Sequence, residues 1–227
     1  MKKNKLVVLL LLLAVIIMCS AAPARAQEKK NDTSPSGSGA GCFDGSSRLL
    51  NIGVGLGGVS YYNYGRSGPY KYTRTPAFSI SYEQALGEKV GPGYIGLGGY
   101  FGFQHASYRY DWNGYYYNFQ YNDYYYKHSW NYFLLAARGA YHPDVLNWEQ
   151  GEVYFGTTLG LRIETYKFST NNPDPAWNNA YRLSEGRVNL AWAVFAGGRY
   201  YFTDKVAGFM ELSYGISYLT VGATIKL

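Results

Sequence analysis

Seven charged residues lie inside segments that are otherwise apolar, and they carry the clearest potential for chemistry in this sequence. They are Glu83, Arg138, Arg162, Glu164, Arg199, Glu211 and Lys226. Three carboxylates against four cations are nearly balanced, and buried charges are tolerated only when they are paired. We interpret the set as a salt-bridged network. The alternative is an ion-selective constriction, because rings of charge select ions.

The three histidines do not predict a metal site or a catalytic pair. His105, His128 and His142 are spaced unlike the ligands of a zinc site. His128 precedes Ser129, and a hydrolase needs a histidine beside its serine nucleophile. Neighbouring residues of a strand point to opposite faces, so this pair could interact only across a bulge. We therefore predict no enzyme activity, no metal and no cofactor.

A glycine motif also fails its structural test. Gly53, Gly55 and Gly58 have the spacing of the G-x-G-x-x-G dinucleotide motif. The residues that follow, VSYYNYG, do not predict the helix that such a motif requires. Glycines that alternate along one face of a strand explain the spacing better.

Apolar residues alternate with small or polar ones from Leu49 to Leu227, without a convincing helical period. In LLNIGVGLGG, for example, the aliphatic side chains share one face, and asparagine and glycine share the other. A period of two predicts strands with two different surfaces. The eight predicted segments are roughly 48–58, 76–86, 94–104, 131–141, 153–165, 188–202, 206–214 and 217–227.

The lengths of these segments and of their connections indicate a membrane barrel. Each segment is close to the nine to eleven residues that a tilted strand needs to cross a bilayer. Long connections at 59–75, 105–130 and 166–187 alternate with shorter ones, as in outer-membrane barrels. The small residues of the polar face suit a narrow lumen better than a water-exposed surface. We predict an all-β, eight-stranded antiparallel up-and-down transmembrane β-barrel, with the seven charges in its lumen.

The N-terminal part predicts export. Residues 1–26 have a lysine-rich start, an apolar run from Leu6 to Met18 and an A-x-A site at 24–26, as in a cleaved signal peptide. An uncleaved anchor and a lipoprotein modified at Cys19 are the alternatives. After cleavage, the chain would have 17 basic residues against 15 acidic ones, which does not indicate a nucleic-acid partner.

Residues 27–46, QEKKNDTSPSGSGAGCFDGS, are polar and rich in Ser and Gly. This composition predicts a flexible periplasmic tether ahead of a barrel domain at 47–227. Cys42 is the one cysteine left after cleavage, so the mature chain can form no intramolecular disulfide. The sequence assigns no role to it.

The signal peptide, the eight amphipathic strands and the final strand SYLTVGATIKL together resemble the OmpA/OmpX-type group of small eight-stranded outer-membrane β-barrels of Gram-negative bacteria. The resemblance covers 48–227 and implies a place in the cell outer membrane. It also implies outer-membrane lipid and the barrel-assembly machinery as partners. Such proteins usually end on an aromatic residue, whereas this chain ends on Leu227. Members serve as structural anchors, narrow pores, adhesion factors or, occasionally, lipid-modifying enzymes.

The stretch 110–132, YDWNGYYYNFQYNDYYYKHSWNY, holds nine tyrosines. If 95–103 pairs with 141–133, the numbers of paired residues sum to 236 and the hairpin tip falls near Asn118. A turn at Asn113-Gly114 would require an odd sum, which sets inward residues against outward ones. We therefore predict a bulge or kink at Asn113-Gly114 and two strands that continue beyond the bilayer.

These aromatic residues suggest a surface role. The candidate surface-binding residues are Tyr115, Tyr116, Tyr117, Phe119 and Tyr121. The predicted interfacial belt is Trp130, Tyr132 and Trp192. Alternatives for the stretch are a girdle with a floppy loop and a prion-like low-complexity segment. We predict a non-catalytic outer-membrane protein with a structural role or a surface-interaction role toward an extracellular protein or glycan; the alternative is a narrow porin-like channel for small solutes or ions.

Overall fold

A computed structural model describes residues 42–57, 70–117, 120–173, 186–215 and 217–227. The strands in these ranges are β1 Arg48–Leu56, β2 Tyr70–Arg74, β3 Ala77–Val90, β4 Gly93–Tyr117, β5 Gln120–Pro143, β6 Gly151–Thr170, β7 Arg187–Tyr201, β8 Val206–Ser213 and β9 Leu219–Lys226. A 3-10 turn, Asp144–Leu146, lies between β5 and β6. Within the same ranges, no helix is both long and apolar enough to span a membrane. The predicted signal peptide and residues 27–41 of the predicted tether lie outside them.

Eight of these strands form a closed antiparallel ring. Each strand from β3 to β9 pairs with the next along the chain, and β1 completes the ring by pairing with both β3 and β9. The short β2 pairs with β4 beyond the point where β3 ends, so it continues the course of β3 along the same neighbour. The predicted eight-stranded up-and-down barrel is confirmed.

The outward face of the ring is apolar. Along seven of the eight ring strands, exposed large hydrophobic residues alternate with buried positions, as the period of two predicted. Examples from seven strands are Ile52, Phe78, Leu97, Leu159, Trp192, Met210 and Val221. An apolar surface this continuous requires an apolar surrounding. The ring therefore has the outward face of a transmembrane barrel.

The inward face is packed tightly around small residues. A Cβ atom at Gly156 or Gly160 would overlap the backbone of β5, and one at Gly197 would lie 2.8 Å from the ring of Tyr154. Eight strands leave a lumen just wide enough for side chains to fill. The glycines bring neighbouring strands and large inward side chains into direct contact.

The pairing of β4 with β5 confirms the predicted register. Partners follow the predicted sum from Gly93 opposite Pro143 to Trp112 opposite Tyr124. The register then shifts between Trp112 and Tyr115, which is the predicted bulge at Asn113-Gly114. The tip, at 118–119, lies outside the described residues, but the strands on both sides of it are paired up to Tyr117 and Gln120.

Four strands continue past the ring on one side. The pairing of β7 with β6 ends at Arg187 opposite Glu164, whereas β6 goes on pairing with β5 up to Thr170. We use the name extension for the four-stranded sheet formed by β2, residues 106–117 of β4, 120–130 of β5 and 164–170 of β6. In the opposite wall of the barrel, β8 and β9 are only eight residues long. Most of the predicted connection 105–130, and residues 166–170 at the start of the predicted connection 166–187, are therefore paired strand.

Candidate functional site

Six buried ionisable residues meet inside the barrel. They are Glu83, Arg138, His142, Glu152, Arg199 and Glu211, and we call them the lumen network. Each occupies an inward-facing position of its strand, because residues two apart on a strand share a face. Four of the seven charged residues singled out in the sequence belong to this network, and His142 and Glu152 are additions to it.

Arg138 and Glu211 form a bidentate ion pair near mid-lumen. The Arg138 Nη2 and Nη1 atoms lie 2.5 and 3.3 Å from the two carboxylate oxygens of Glu211. Tyr154 donates its hydroxyl hydrogen to Glu211 over 2.9 Å. The guanidinium of Arg138 also lies 3.7 Å from the centre of the Phe195 ring. Such charge-assisted forked contacts are the strongest hydrogen bonds available to a buried pair.

Arg199 and Glu152 form a second ion pair, closer to the end of the barrel that has the short connections. The Arg199 Nη1 atom donates to Glu152, and its guanidinium lies 4.4 Å from the centre of the Tyr154 ring. Glu152 also accepts a 2.8 Å hydrogen bond from the backbone N–H of Phe43. Tyr201 donates its hydroxyl hydrogen to Glu152 over 3.4 Å. These contacts occupy the Glu152 carboxylate from several sides.

Glu83 and His142 join the two ion pairs. The His142 Nε2 atom lies 2.5 Å from Glu83 Oε1, and its Nδ1 atom lies 3.7 Å from Glu152 Oε1. The other oxygen of Glu83 lies 3.7 Å from Arg138 Nε and 4.0 Å from Arg199 Nη2. Three carboxylates therefore face two guanidinium groups, and an imidazolium at His142 would balance the charge. Balanced, interlocked charges are what a low-dielectric lumen requires.

The other predicted charges lie elsewhere. Arg162 lines a cavity of about 220 Å³ above the network, together with Gln104, Tyr132 and Thr158. Glu164 lies two residues further along β6, at the level where β7 begins. At the opposite end, the Lys226 Nζ atom lies 3.0 Å from a side-chain oxygen of Asp44 and from the carbonyl oxygen of Cys42.

Residues 42–47, which we call the N-terminal segment, pack across the end of the barrel that has the short connections. The Phe43 ring stacks on the His142 imidazole with centroids 3.8 Å apart and packs against Leu49 and Ala85. Lys226 holds the segment from the last strand. The end of the predicted tether is thus packed against the barrel wall and covers the lumen network.

The thiol of Cys42 is shielded in this segment. Its Sγ atom lies 3.4 Å from the carbonyl oxygens of Trp148 and Gly151. Burial, followed by the nearby Glu152 carboxylate, raises the pKa of the Cys42 thiol. A thiol that stays protonated reacts slowly, because the thiolate is the nucleophile.

The extension carries an aromatic surface that continues the inward face of the ring. We call it the aromatic face. Its members are Tyr72, Tyr108, Tyr110, Trp112, Tyr124, Tyr126, His128, Trp130, Tyr166 and Phe168. Strand pairing sets these residues side by side, since Tyr72, Tyr108, His128 and Phe168 are successive cross-strand partners.

Ring contacts connect the aromatic face across its strands. The rings of His128 and Phe168 are 5.1 Å apart, and those of Trp130 and Tyr166 are 5.6 Å apart. The His128 Nδ1 atom lies 2.6 Å from the hydroxyl oxygen of Tyr166. Burial lowers the pKa of His128, so its ring is neutral near pH 7 and packs as an aromatic group.

The structure describes the predicted aromatic residues unequally. Tyr115, Tyr116, Tyr117 and Tyr121 lie in paired strand, but their side chains are outside the described part of the structure. Phe119 lies in the tip, which is also outside it. The candidate surface-binding residues therefore remain a prediction.

The predicted interfacial belt needs a correction at two positions. Trp192 faces outward and is 67 % exposed, which suits a residue at the lipid boundary. Tyr132 is 9 % exposed and faces the lumen with Leu134, because the even-numbered positions of β5 point inward. Trp130 has the same parity and belongs to the aromatic face. Neither Trp130 nor Tyr132 takes the outward position that a belt requires.

His142 and Glu152 were missed because the sequence placed them in a connection. The parity of the strands would have identified both. His142 lies four residues from Arg138, and Glu152 lies two residues from Tyr154, so each falls on the inward face once its strand is extended.

Among the described residues, no group of three or more His, Cys, Asp or Glu residues has an arrangement that could hold a metal ion.

No protein-family model matches the chain, and no curated protein matches it. Among solved structures, the chain is similar to Ail, the attachment invasion locus protein of Yersinia pestis, in a crystal structure with the heparin analogue sucrose octasulfate. The sequences are 15 % identical, the TM-score is 0.34, and the match covers 80 % of this chain and 94 % of Ail. A likeness at this level does not indicate what the chain binds.

The strand pairing itself assigns the fold. The ring has eight antiparallel strands, an apolar outward face and a narrow, filled lumen. Its connections are short at one end, and β4, β5 and β6 extend well beyond the ring at the other end. This is the fold of the small eight-stranded outer-membrane β-barrels, as the resemblance in the sequence indicated.

Proposed function

We propose that this chain is a non-catalytic surface protein of the cell outer membrane, exported by a cleaved signal peptide, and that it binds an extracellular protein or glycan through its extension. The observation that carries the proposal is the aromatic face. Ten aromatic or imidazole side chains cover one side of a sheet that stands beyond the apolar band of the barrel. In this orientation, the N-terminal segment and Leu227 lie at the periplasmic end.

Two properties of the extension suit a binding role. Aromatic side chains offer a large contact area with few rotatable bonds, and tyrosine and tryptophan are enriched where proteins bind partners. Trp112, near the tip of the hairpin, and Tyr72, on the edge strand β2, are 43 % and 40 % exposed. Within the described residues, β2 pairs only with β4, and β6 beyond Glu164 pairs only with β5. Strand edges of this kind can add a strand from a partner.

The alternative function is a narrow channel for small solutes or ions, and the lumen argues against it. The lumen network crosses the barrel with side chains that are 0 to 6 % exposed. The N-terminal segment covers the network from the periplasmic side. An ion would have to break several charge-assisted contacts at once in order to pass. The cavity beside Arg162 is compatible with a vestibule that ends above this barrier.

Shortening the hairpin tests the proposed function. Residues 113–123 are replaced by Asn-Gly, a two-residue turn that preserves the closing pair between Trp112 and Tyr124. Because the ring is untouched, we expect the temperature of the heat-dependent gel shift to be unchanged. We expect cells that display this variant to lose their adhesion to surfaces coated with a panel of polysaccharides and extracellular proteins.

A second variant tests whether adhesion requires the aromatic rings themselves or only the length of the hairpin. Trp112, Tyr126 and Phe168 are changed to serine while the length of the strands is kept, and we expect adhesion to fall in the same way. The matched control changes Ser107, Ser129 and Ser169, on the opposite side of the same strands, to alanine. Undiminished adhesion in both the shortened and the serine variants would contradict the proposal.

A further inference from the structure

The outward face of β4, β5 and β6 changes character at one level. Phe103, Phe133 and Ile163 are successive cross-strand partners, and they are the last outward apolar residues before the extension. The two phenylalanine rings lie 5.1 Å apart. These three residues mark the upper edge of the surface that contacts hydrocarbon.

A hydrogen-bonded polar row follows immediately. The His105 Nδ1 atom lies 2.8 Å from Asn131 Oδ1, and Asn131 Nδ2 donates to Thr165 Oγ1 over 3.2 Å. The three residues are the next outward partners along the same strands. Polar groups joined across strands in this way satisfy each other where the surface leaves the lipid core.

Above the polar row, the outward face becomes basic. Lys71, Arg109 and Lys127 are directly opposite one another on β2, β4 and β5. Lys167 lies on β6, opposite Ser129 and one step nearer the membrane. We call these four residues the basic row. Strands lie about 4.8 Å apart, so the four cations span roughly 15 Å.

The basic row is not neutralised by the described residues around it. Asp111 lies 3.2 Å from Lys71 and 2.6 Å from Arg109. Both contacts lower the pKa of Asp111, and the hydrogen bond from Arg109 contributes most. Within the described part of the chain, no carboxylate lies within ion-pair distance of Lys127 or Lys167. Like charges set directly opposite one another weaken a sheet, so an external anion would relieve this arrangement.

The position of the basic row limits what the anion can be. Lys167 lies four residues beyond Ile163, and Arg109 lies six beyond Phe103. At about 3.4 Å per residue and a tilt of roughly 40°, these cations stand about 10 to 15 Å above the apolar edge. The headgroup layer of an ordinary phospholipid is only about 5 to 8 Å deep. An anion at this height must be carried on a longer headgroup.

We propose that the basic row binds the phosphate groups of anionic glycolipids, whose saccharide headgroups stand around the barrel in the outer leaflet. The side chains point sideways, on the same face that contacts hydrocarbon lower down, so surrounding lipid is nearer to them than a ligand arriving from above. Arg109 is fixed for this role by Asp111 and by the Tyr125 ring, 4.5 Å away. The inference rests on the proposed orientation, with the extension above the outer leaflet.

The test measures how much glycolipid remains bound to the barrel. Full-length protein is expressed in cells, purified from their membranes and reconstituted into phosphatidylcholine vesicles containing a lipopolysaccharide with a short phosphorylated core. It is then extracted in mild detergent, and the retained glycolipid is counted by mass spectrometry. The test variant is Lys127→Gln with Lys167→Gln. We expect the apparent affinity of this variant for the glycolipid to fall about fivefold for each charge removed. The difference in affinity between this variant and the wild type should shrink in high salt.

A matched variant controls for net charge. Arg48→Gln with Lys205→Gln removes two exposed cations at the periplasmic end, and we expect it to retain glycolipid like the wild type. Equal retention by the test variant, or equal retention of a dephosphorylated glycolipid by the wild type, would overturn the inference. Binding of soluble heparin without enrichment of the glycolipid would overturn it as well. The hairpin variant that lacks 113–123 keeps the basic row. Lost adhesion in this variant, together with normal glycolipid retention, would support the proposed function and leave both the glycolipid inference and the proposed orientation of the barrel standing.

Discussion

Replacing Arg199 with methionine is expected to lower the free energy of unfolding of the barrel by about 3 to 5 kcal/mol, because it leaves buried carboxylates without their partner. Arg199 is 1 % exposed, pairs with Glu152 and lies 4.0 Å from Glu83. Methionine fills much of the same volume, so the loss would come mainly from the uncompensated charge. Urea unfolding of the protein in lipid vesicles measures the change.

Two further variants assign this loss to the buried ion pair. Changing Glu152 to glutamine in the Arg199→Met background removes the orphaned charge but keeps a hydrogen-bond acceptor for Phe43, so we expect part of the stability to return. Lys205→Met, in the exposed β7–β8 turn, removes a charge outside the lumen network and should cost less than about 0.5 kcal/mol. If Arg199→Met itself lowered the free energy of unfolding by less than about 0.5 kcal/mol, the network would not stabilise the barrel.

Replacing Phe43 with alanine is expected to cost about 3 to 5 kcal/mol, the range for a fully buried aromatic side chain. Phe43 is 2 % exposed and covers the His142 ring. Its loss would also loosen the N-terminal segment. We therefore expect the Cys42 thiol, which is shielded in the wild type, to react faster with a maleimide reagent.

Phe43→Leu is the matched control, because it keeps an apolar side chain of similar size and should cost less than about 1.5 kcal/mol. Its Cys42 should react almost as slowly as that of the wild type. Rapid labelling of Cys42 in the wild-type barrel would contradict the packing of the N-terminal segment. Unchanged stability in Phe43→Ala would contradict its contribution to closing the barrel.

Strand periodicity made most of the barrel predictable from the sequence. One face of each strand contacts lipid and the other faces the lumen, so apolar residues must alternate, and a register slip by one residue is heavily penalised. This constraint was strong enough to place the pairing of Phe103 with Phe133. It was also strong enough to reject a tight turn at Asn113-Gly114, although that dipeptide is the usual hairpin signal.

The sequence predicted least where contacts join distant parts of the chain. The polar composition of 27–46 favours a tether, and no local pattern indicates that Phe43 stacks on a histidine 99 residues away. The lengths of β5 and β6 were underestimated at the end of the barrel that has the short connections, so His142 and Glu152 fell in a predicted connection. Tyr132 was assigned to the belt by residue type, whereas its parity with Arg138 already placed it inward.

The lumen and the extension have different roles in the proposed protein. The lumen network and the N-terminal segment make a closed structural core, and the extension provides the surface for partners. The network links three carboxylates, two guanidinium groups and an imidazole through ion pairs and hydrogen bonds. Function should therefore respond to changes in the extension and not to the charge of the lumen.

The most direct measurement is the ion conductance of the purified barrel in a planar bilayer, after a heat-dependent gel shift has established that it is folded. We expect the wild-type protein to stay silent, because the lumen network and the N-terminal segment close the barrel. Reproducible channels whose conductance changes in Arg162→Ala would contradict this. They would show that the lumen conducts and that the chain is a narrow pore.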